Sequence, residues 1–479
     1  MPTSYENQLN NWIDKEKIGV NLLNSVGTLM YDKGIELVLF RRQLLEIGVS
    51  ELMNYISYAN NVVGRENNIE TTNLLTRQML DMNLAPSKID IGLLTAEYIE
   101  NGNTNANDFL SEKLSHIVDA DTSSKNAKDV ILYGFGRIGR LAARELIKQA
   151  GKGQQLRLKG IVIRRLTDAQ IIKRADLLRT DSVHGSFKGV VDVDLKNQSI
   201  IVNGQVIRFI DGVDPESIDY TQYGINDALL IDNTGAFTDK EALSRHLKSN
   251  GVSKVLLTAP GKEIPNIVYG INSQGIDIEN TNIFSAASCT TNCIAPILHI
   301  IENKYGVTKG HLETVHAYTN DQNLLDNMHK KPRRGRSAAI NMVITSTGAG
   351  KAVTKVIPSL KGKLSANAVR VPTPNVSLAI LKLTLSNNTS VEEINNTMRD
   401  AALHGNLVNQ INYQVEPDLV STDIIGNTCC AVFDSNATIC TEDGQDVVLY
   451  VWYDNEFGYT KQVIRLAKQI AKVRRLTYY

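Results

Sequence analysis

Residues 130–148 hold the feature that most constrains the fold, the stretch VILYGFGRIGRLAARELIK. A short apolar run leads into a glycine-rich turn, and a helical segment follows. In this GxGxxG turn Gly134 permits the tight bend, Gly136 lets the backbone approach a pyrophosphate, and Gly139 lets strand and helix pack closely. The N–H groups at the start of the helix add a positive field. A turn of this kind between a strand and a helix predicts a dinucleotide-binding unit.

The second strand of that unit ends on two arginines. The apolar run GIVI ends at Arg164 and Arg165, about 26 residues past the last glycine, near the place expected for the residue that reads the adenosine ribose. A carboxylate there accepts hydrogen bonds from a 2′-hydroxyl, whereas guanidinium groups offer planar donors matched to a phosphate. The pair therefore favours NADP, with NAD also possible. The alternative is two solvated arginines at the end of a strand.

The rest of the chain divides by its periodicity. Residues 1–118 have helical spacing, for example at Leu22, Val26 and Met30, and the polar stretch 119–129 is the predicted linker. Apolar runs that end in turn residues, such as ALLIDNTG and KVLLTAPG, then follow as parallel strands do. From about residue 289 longer strands alternate with helices.

Composition and charge limit the partners. The 479 residues suggest two or three domains, and no apolar run is long enough to span a bilayer. Residues 1–124 carry 17 acidic and 9 basic side chains, a net charge of about −8, so the remainder is near +8 because the totals are equal. No basic stripe points to nucleic acid. The polar N-terminus and five cysteines without a disulfide framework favour a cytoplasmic location.

The stretch FSAASCTTNCIAP contains the candidate nucleophile. Cys289 begins a predicted helix, whose free N–H groups favour the thiolate, lower the pKa below the free value of about 8.5, and can hold an oxyanion. A metal site at CxxxC is disfavoured, because no second Cys/His pair at ligand spacing follows. The remaining cysteines, Cys429, Cys430 and Cys440, are expected to be inert core residues.

His316 is the candidate general base. In ETVHAYTNDQ it follows a strand-like run and begins a polar loop, where a general base is commonly found. A partly buried, hydrogen-bonded histidine without a catalytic role fits the same pattern equally well.

Seven motifs together resemble the phosphorylating glyceraldehyde-3-phosphate dehydrogenases in order and spacing: YGFGRIGR, DSVHG, SAASCTTNC, HAYTNDQ, STGAGKAV, RVPTPNVS and WYDNEFGY. The resemblance covers roughly residues 127–479. It implies that Cys289 attacks the aldehyde, that His316 takes the thiol proton and assists hydride departure, and that inorganic phosphate cleaves the resulting thioester. The product would be 1,3-bisphosphoglycerate.

The resemblance also implies binding roles, with neutral hydroxyls and one arginine for a doubly negative ligand that must still leave. Residues implied at the substrate and attacking-phosphate sites are Ser288, Thr290, Thr319, Thr347, Gly348 and Arg370. Residues implied at the cofactor are Gly134, Phe135, Gly136, Arg137, Ile138, Gly139, Arg164, Arg165, Thr258, Asn455 and Tyr459. Asn455 would fix the nicotinamide carboxamide, with Tyr459 beside it. No metal is implied.

Several positions depart from the family pattern. Arg164-Arg165 stands where members that use NAD usually have Asn-Asp, and DNMH (326–329) replaces Asp-Leu-Pro-His in the loop that reaches the neighbouring subunit. Both changes resemble forms that accept NADP. Tyr133 replaces the usual Asn before the first glycine, and Val213 replaces an arginine, so the adenosine contacts differ from the pattern. The loop itself implies a homotetramer.

The predicted fold class is α/β, with a Rossmann dinucleotide-binding domain, an α+β catalytic domain with a mixed or antiparallel sheet, and an all-α N-terminal extension. The predicted extension covers residues 1–124. The dinucleotide-binding domain covers 125–288 plus a C-terminal helix at 459–479, and the catalytic domain covers 289–458.

Two other functions remain open. Erythrose-4-phosphate dehydrogenase shares the fold, the cysteine and the histidine, although RVPTPNVS and STG favour glyceraldehyde 3-phosphate. A regulatory or scaffolding protein that acts through the N-terminal arm, with an unknown partner, is the other alternative; the joint retention of Cys289, His316, Arg370 and Asn455 argues against an inactive core. Use of NADP would favour the gluconeogenic direction over glycolysis, because reduced NADP pools favour reduction.

Overall fold

The computed structural model describes residues 4–102, 105–120, 126–148, 154–212 and 214–479. Val213 and residues 121–125 of the predicted linker, which include the boundary at 124/125, lie outside these residues. The chain forms two compact units. The N-terminal unit comprises Met1–Ala127, Gln149–Gln155 and Lys472–Tyr479, and the core unit comprises Lys128–Lys148 and Leu156–Ala471.

The N-terminal unit is largely helical, as the sequence predicts. Its first elements are α1 (Tyr5–Lys33), β1 (Glu36–Leu39), β2 (Arg42–Gln43), α2 (Val49–Tyr58), α3 (Ile69–Asp81), β3 (Ser87–Asp90), α4 (Ile91–Glu100) and α5 (Ala106–Lys113). The side chains of Ser4, Asn68, Asp90 and Asn105 accept hydrogen bonds from the first turns of α1, α3, α4 and α5, which explains where these helices begin. The apolar stripe of α1 is buried in the centre of this unit.

The first half of the core unit is a doubly wound sheet. Its elements are β4 (Lys128–Tyr133), α6 (Arg137–Ile147), β5 (Leu156–Ile163), α7 (Asp168–Arg179), β6 (Thr180–Asp181), β7 (Gly185–Ser186), β8 (Val191–Asp194), β9 (Ser199–Val202), β10 (Gln205–Asp211), β11 (Ala228–Asp232), α8 (Lys240–Ser244), β12 (Val252–Leu257) and β13 (Ile283–Ser285). The strand order is β13-β12-β11-β4-β5-β10-β9-β8, parallel from β13 to β10. The chain order reverses at β4, so the glycine turn lies at the switch point where such sheets bind ligands.

The second half of the core unit contains a mixed sheet, as predicted. Its elements are α9 (Cys289–Tyr305), β14 (Val307–Ala317), β15 (Val343–Thr345), α10 (Ala349–Val356), β16 (Leu364–Val371), β17 (Ser377–Leu385), α11 (Val391–Leu403), β18 (Ile411–Gln414), β19 (Ala431–Asp434), β20 (Ile439–Cys440), β21 (Asp446–Tyr453) and α12 (Phe457–Ile470). The strand order is β15-β16-β14-β17-β21-β19-β18. Strands β14 and β16 are parallel, whereas β17 and β21 are antiparallel to their neighbours, and α9 packs on this sheet.

The C-terminal end differs from the prediction of one helix over 459–479. Helix α12 ends at Ile470, and the chain then forms β22 (Leu476–Tyr478), which pairs in parallel with β3. The resulting sheet of the N-terminal unit has the order β2-β1-β3-β22. The extension is therefore helical with a small sheet, not all-α. Strands of two to four residues are too short to show alternation in the sequence, which is why the pattern did not indicate them.

Candidate active site

His316 and Arg370 lie side by side because the parallel strands β14 and β16 pair them in register. The Nη1 atom of Arg370 is 2.8 Å from His316 Nδ1 and donates a hydrogen bond to the oxygen of Ala317 at 2.7 Å. His316 Nδ1 is itself 2.7 Å from that oxygen. Burial, together with the charge of Arg370, lowers the pKa of His316 to about 4. The imidazole is therefore neutral near pH 7 and able to accept a proton.

Cys289 is the first residue of α9, and its sulfur lies 3.6 Å from His316 Nε2. The helix begins there because Ser288 Oγ accepts a hydrogen bond from the N–H of Thr291 at 3.0 Å. Burial raises the pKa of the Cys289 thiol, and its hydrogen bonds with Thr290 and the charge of Arg370 offset this only in part. The prediction of a lowered pKa is wrong, because burial outweighs the helix N-terminus. The resting pair is a neutral thiol beside a neutral imidazole.

Tyr453 contacts both the segment that carries Cys289 and the strand that carries His316. Its hydroxyl is 3.0 Å from Thr290 Oγ1 and 2.7 Å from Thr314 Oγ1, and its ring meets the His316 imidazole edge-on at 6.0 Å between centroids. The tyrosine is fully buried at the end of β21. Sequence analysis did not single it out, although it lies in the motif WYDNEFGY.

A second group of polar side chains lies near Arg370 and interacts with its charge. Thr319 Oγ1 donates to Asp321, Arg334 forms an ion pair with Asp321, and Arg334 Nε donates to Thr345 Oγ1 at 3.2 Å. Burial opposes ionisation of Asp321, but its hydrogen bond from Thr319 and the charges of Arg334 and Arg370 lower its pKa overall. Two guanidinium groups against one carboxylate leave a net positive charge that can hold an anion. Neither Asp321 nor Arg334 was identified from the sequence.

The remaining predicted phosphate-site residues lie on the same edge of the sheet. Strand β15 pairs with β16 so that Val343 is opposite Arg370, and Thr347 and Gly348 follow one residue after the end of β15. Thr347 Oγ1 accepts a hydrogen bond from the N–H of Ala349 at 3.1 Å, which fixes the start of α10. Gly348 is exposed and leaves this edge accessible.

The glycine turn has the shape that a dinucleotide requires. Gly134 has φ of +93°, and a Cβ at Gly139 would lie 2.5 Å from the oxygen of Gly134, so both positions need glycine. A Cβ at Gly136 would meet nothing within 4 Å. The turn is thus closed on its packed side and open at Gly136, where a pyrophosphate would approach. Next to it Phe135 is buried and Ile138 half-buried.

Backbone hydrogen bonds join the ends of strands β4, β5 and β10 beside this turn. The N–H of Gly134 donates to Val162, and that of Gly212 donates to Ile163, each at 3.0 Å. Arg164 and Arg165 follow at the end of β5, both exposed, and Arg165 has φ of +56°. The two guanidinium groups are therefore free to meet a ligand at this edge.

Farther along the edge, Thr258 donates two hydrogen bonds to the oxygen of Asp232, each of 3.0 Å, from its N–H and its hydroxyl. Tyr133 is buried, its hydroxyl donates to the oxygen of Gly212 at 3.4 Å, and its ring packs edge-on against His246 at 4.6 Å. This departure from the family pattern is therefore a core residue. Burial raises the pKa of Tyr133 to about 12.

The two predicted nicotinamide residues are both buried and hydrogen-bonded. Asn455 is buried, and its Oδ1 accepts a hydrogen bond from Ser377 Oγ at 2.9 Å. Tyr459 is also buried, and its hydroxyl donates at 2.9 Å to the oxygen of Ala287. Tyr459 thus holds the turn that leads into α9.

The described residues contain no group of three or more His, Cys, Asp or Glu side chains arranged to hold a metal ion. None of the five cysteines, all of which lie within the described residues, forms a disulfide bond; Cys429 and Cys430 are buried and Cys440 is half-buried. In the part of the chain that the structure describes, no helix combines the length and the apolar character needed to cross a membrane.

Comparisons with known proteins agree with this geometry. Residues 128–240 match the family model "Glyceraldehyde 3-phosphate dehydrogenase, NAD binding domain", and residues 288–455 match "Glyceraldehyde 3-phosphate dehydrogenase, C-terminal domain". A "Glyceraldehyde-3-phosphate dehydrogenase-like protein" of Pseudomonas aeruginosa is 46% identical over 453 residues, 94% of this chain and 98% of the relative. Glyceraldehyde-3-phosphate dehydrogenases of Clostridium pasteurianum (40% identical) and Priestia megaterium (42%) cover 72% and 71% of the chain, and 98% and 97% of their own lengths.

The chain therefore belongs to the glyceraldehyde-3-phosphate dehydrogenase family of oxidoreductases, with a nicotinamide dinucleotide as its cofactor. The Clostridium and Priestia relatives align over nearly their whole lengths and leave more than a quarter of this chain unmatched. A match over 94% of the chain must in contrast include most of the N-terminal extension. The extension is thus shared with the Pseudomonas relative.

Proposed function

We propose that the protein catalyses the reversible oxidative phosphorylation of D-glyceraldehyde 3-phosphate to 1,3-bisphosphoglycerate. The observation that carries the proposal is the Cys289 thiol 3.6 Å from His316 Nε2, beside the positively charged group around Arg370. A nucleophile, a neutral base and an anion site in one place fit acyl transfer to phosphate better than any other reaction of an aldehyde.

The low pKa of His316 defines its role in this proposal. As Sγ bonds to the aldehyde carbon, Nε2 takes the thiol proton and returns it to the carbonyl oxygen. Bound NAD or NADP supplies the acceptor for the hydride that leaves this carbon. His316 then removes the hydroxyl proton, so a thioester forms on Cys289. Inorganic phosphate attacks the thioester carbon, and the carbon–sulfur bond breaks. The departing sulfur takes back the proton held by His316, which restores the neutral thiol and imidazole.

Arg370 has a second part in the same sequence. Nε2 can accept a proton only if Nδ1 carries one, directed to the oxygen of Ala317 2.7 Å away. Arg370 Nη1, 2.8 Å from Nδ1, competes as a donor in the free protein. A substrate phosphate bound by Thr319 and Arg370 would draw the guanidinium away and favour the basic form of His316. Ser288, Thr290, Thr347 and Gly348 are proposed to hold the attacking phosphate.

For the cofactor we propose NADP, with NAD accepted. The support is the exposed Arg164 and Arg165 at the end of β5, next to the glycine turn, with no carboxylate at the ribose position. Gly134, Phe135, Gly136, Arg137, Ile138 and Gly139 are proposed to hold the pyrophosphate. Thr258 would lie beside the cofactor, and Asn455 and Tyr459 at the nicotinamide.

The activity is tested by initial rates with glyceraldehyde 3-phosphate and inorganic phosphate, in parallel with erythrose 4-phosphate. We expect turnover of glyceraldehyde 3-phosphate that depends on phosphate and is lost in Cys289→Ser. Preference for erythrose 4-phosphate would transfer the proposal to that substrate. Absence of turnover with either aldehyde would favour a regulatory or scaffolding role of the N-terminal unit.

Cofactor preference is tested by kcat/KM with NAD and NADP in the wild type and in Arg165→Asp. We expect the wild type to favour NADP, and the substitution to shift the preference toward NAD by about 1–3 kcal/mol, the value of a charged hydrogen bond. Lys173→Asp, on the following helix α7, controls for the change in net charge. A wild type that favours NAD would refute the proposed role of the arginines. Use of NADP would also favour the gluconeogenic direction.

We further propose a homotetramer. The segment that includes Asp326, Asn327, Met328 and His329 exposes an unusual number of apolar side chains, namely Leu324 (72%), Leu325 (74%), Met328 (93%), Ile340 (79%), Met342 (76%) and Ile344 (59%). Such a patch is typical of a subunit interface. Sedimentation of Ile340→Glu should show dissociation, whereas Ile172→Glu, on α7, should not. Cysteines without disulfide bonds favour a reducing, cytoplasmic location.

A further inference from the structure

A buried cluster of charged groups lies between the glycine turn and the segment that carries Asn455. His184, between β6 and β7, has its Nε2 3.2 Å from Asp454 Oδ2. Its Nδ1 faces Asp181 Oδ1 at 3.5 Å and Glu456 Oε2 at 3.7 Å, with no hydrogen-bond partner among the described residues. The imidazole is only 5% exposed.

Two arginines of α6 complete the cluster. Arg137 Nη2 donates to Glu456 at 2.6 Å, and its Nη1 and Nη2 donate to the two oxygens of Asp181 at 3.2 Å each. Arg140 Nη2 lies 3.7 Å from Asp181. We call these six residues the His184 cluster: Arg137, Arg140, Asp181, His184, Asp454 and Glu456. Beside it, Asn375 Nδ2 is 3.3 Å from His184 Nε2, and the Phe457 ring is 6.1 Å from the imidazole.

The surroundings of His184 favour the imidazolium. Three carboxylates lie 3.2–3.7 Å from its ring nitrogens, those of Asp454, Asp181 and Glu456. A neutral His184 that donates from Nε2 to Asp454 would also point the lone pair of Nδ1 at two carboxylates. Burial by itself lowers the pKa of His184, but its hydrogen bond to Asp454 and the charges of Asp454, Glu456 and Asp181 raise it overall. The pKa of His184 is therefore higher than that of a free imidazole.

The His184 cluster joins the two ends of the proposed dinucleotide site. Asp454 Oδ1 accepts hydrogen bonds from the N–H groups of Glu456 at 3.0 Å and Phe457 at 2.8 Å, so this carboxylate fixes the corner that contains Asn455. Arg137 immediately follows Gly136, the open glycine of the turn. A change at His184 can thus reach both the turn and Asn455.

We infer that His184 is a positioning residue, whose imidazolium holds Asp454 and Glu456 so that Asn455 and the glycine turn keep the geometry that binds the dinucleotide, and whose deprotonation weakens that binding. The inference rests on the proposed function, because it assumes that Asn455 and the glycine turn hold one dinucleotide.

The test is the Kd of NAD, measured by calorimetry from about pH 6 to about pH 10, a range in which the pyrophosphate of NAD does not change charge. The wild type should lose affinity roughly tenfold as pH rises, the value of one charge-assisted hydrogen bond. His184→Gln, which keeps a donor for Asp454 but has no proton to lose, should bind weakly and without this step. His404→Gln, at an exposed histidine paired with Asp400, is the matched control and should retain the step.

A second variant keeps the test informative if His184→Gln does not fold. Asp181→Asn removes one carboxylate that raises the pKa of His184 but keeps an oxygen for the N–H groups of Val183 and His184. The midpoint of the affinity change should therefore move to lower pH. A residue that only supports the fold would change the melting temperature and leave this midpoint in place.

The outcomes separate the two proposals. A folded wild type that binds neither NAD nor NADP at any pH would refute the proposed cofactor site, and the inference with it. Binding of NAD with the same pH profile in the wild type, His184→Gln and Asp181→Asn would overturn the inference and leave the proposed function intact.

Discussion

Alanine at two glycines of the turn should separate the packing of the turn from its contact with the ligand. At Gly139 an added Cβ would lie 2.5 Å from the oxygen and 3.3 Å from the carbonyl carbon of Gly134. These are backbone atoms of a residue with φ of +93°, so they cannot move without opening the turn. At Gly136 the backbone has φ of −79°, and the added Cβ meets no protein atom within 4 Å.

The magnitudes follow from this geometry. Overpacking costs about 1–3 kcal/mol, and alanine within α6 recovers up to about 1 kcal/mol of helix propensity, so Gly139→Ala should destabilise the core unit by about 1–2 kcal/mol. That loss corresponds to a melting temperature a few degrees lower. Gly136→Ala should melt within about one degree of the wild type, because it creates no clash in the free protein.

Binding should follow a different order. The methyl group of Gly136→Ala would occupy the space through which a pyrophosphate approaches the backbone, so we expect at least roughly tenfold weaker binding of NAD or NADP. Calorimetry measures the affinity, scanning fluorimetry the stability, and alkylation of Cys289 controls for an intact catalytic centre. Gly136→Ala with wild-type affinity, or Gly139→Ala with wild-type stability, would refute the reasoning.

Three further predictions concern other parts of the molecule. Alkylation of Cys289 by iodoacetamide should have its midpoint at a higher pH than alkylation of a free cysteine, because burial raises the thiol pKa; a midpoint at or below that of a free cysteine, about pH 8.5, would contradict this. Deletion of residues 476–479 should lower the melting temperature of the N-terminal unit, since it removes β22 and the 2.7 Å hydrogen bond from Tyr478 to Glu97; an unchanged transition would oppose it. Because the pKa of His316 falls to about 4 on folding, protons bind more tightly to the unfolded chain. The free energy of unfolding, measured by urea denaturation, should therefore decrease by about 3 kcal/mol as pH falls from about 6.5 to 4. The decrease should be smaller in His316→Gln.

Local chemistry explains which parts of the site could be predicted from the sequence. The glycine turn is specified by residues within six positions of one another, and Cys289 by its place at a helix start. The bond between Tyr453 and Thr290 joins residues 163 positions apart, and it exists only once β21 and α9 pack together. Asp321 and Arg334 are likewise ordinary loop residues until the fold makes them partners.

The pKa of Cys289 shows a second limit. The helix N-terminus could be predicted from the sequence, and it does favour a thiolate. The opposing effect, burial of the thiol, comes from residues throughout the core unit and has no local signature. A sequence thus predicts the groups that take part in a reaction better than it predicts the balance between their charged and neutral forms.

The N-terminal unit is built from three separate stretches of the chain. The N-terminal unit includes Gln149–Gln155 and Lys472–Tyr479 as well as the first 127 residues, so the chain passes between the two units four times. Gln155 donates a hydrogen bond to the oxygen of Val473, and β22 forms one edge of the N-terminal sheet. Residues 1–124 alone lack both of these segments and would expose the edge of β3. The N-terminal unit is thus completed by the last residues of the chain, and its function has to be sought in the full chain.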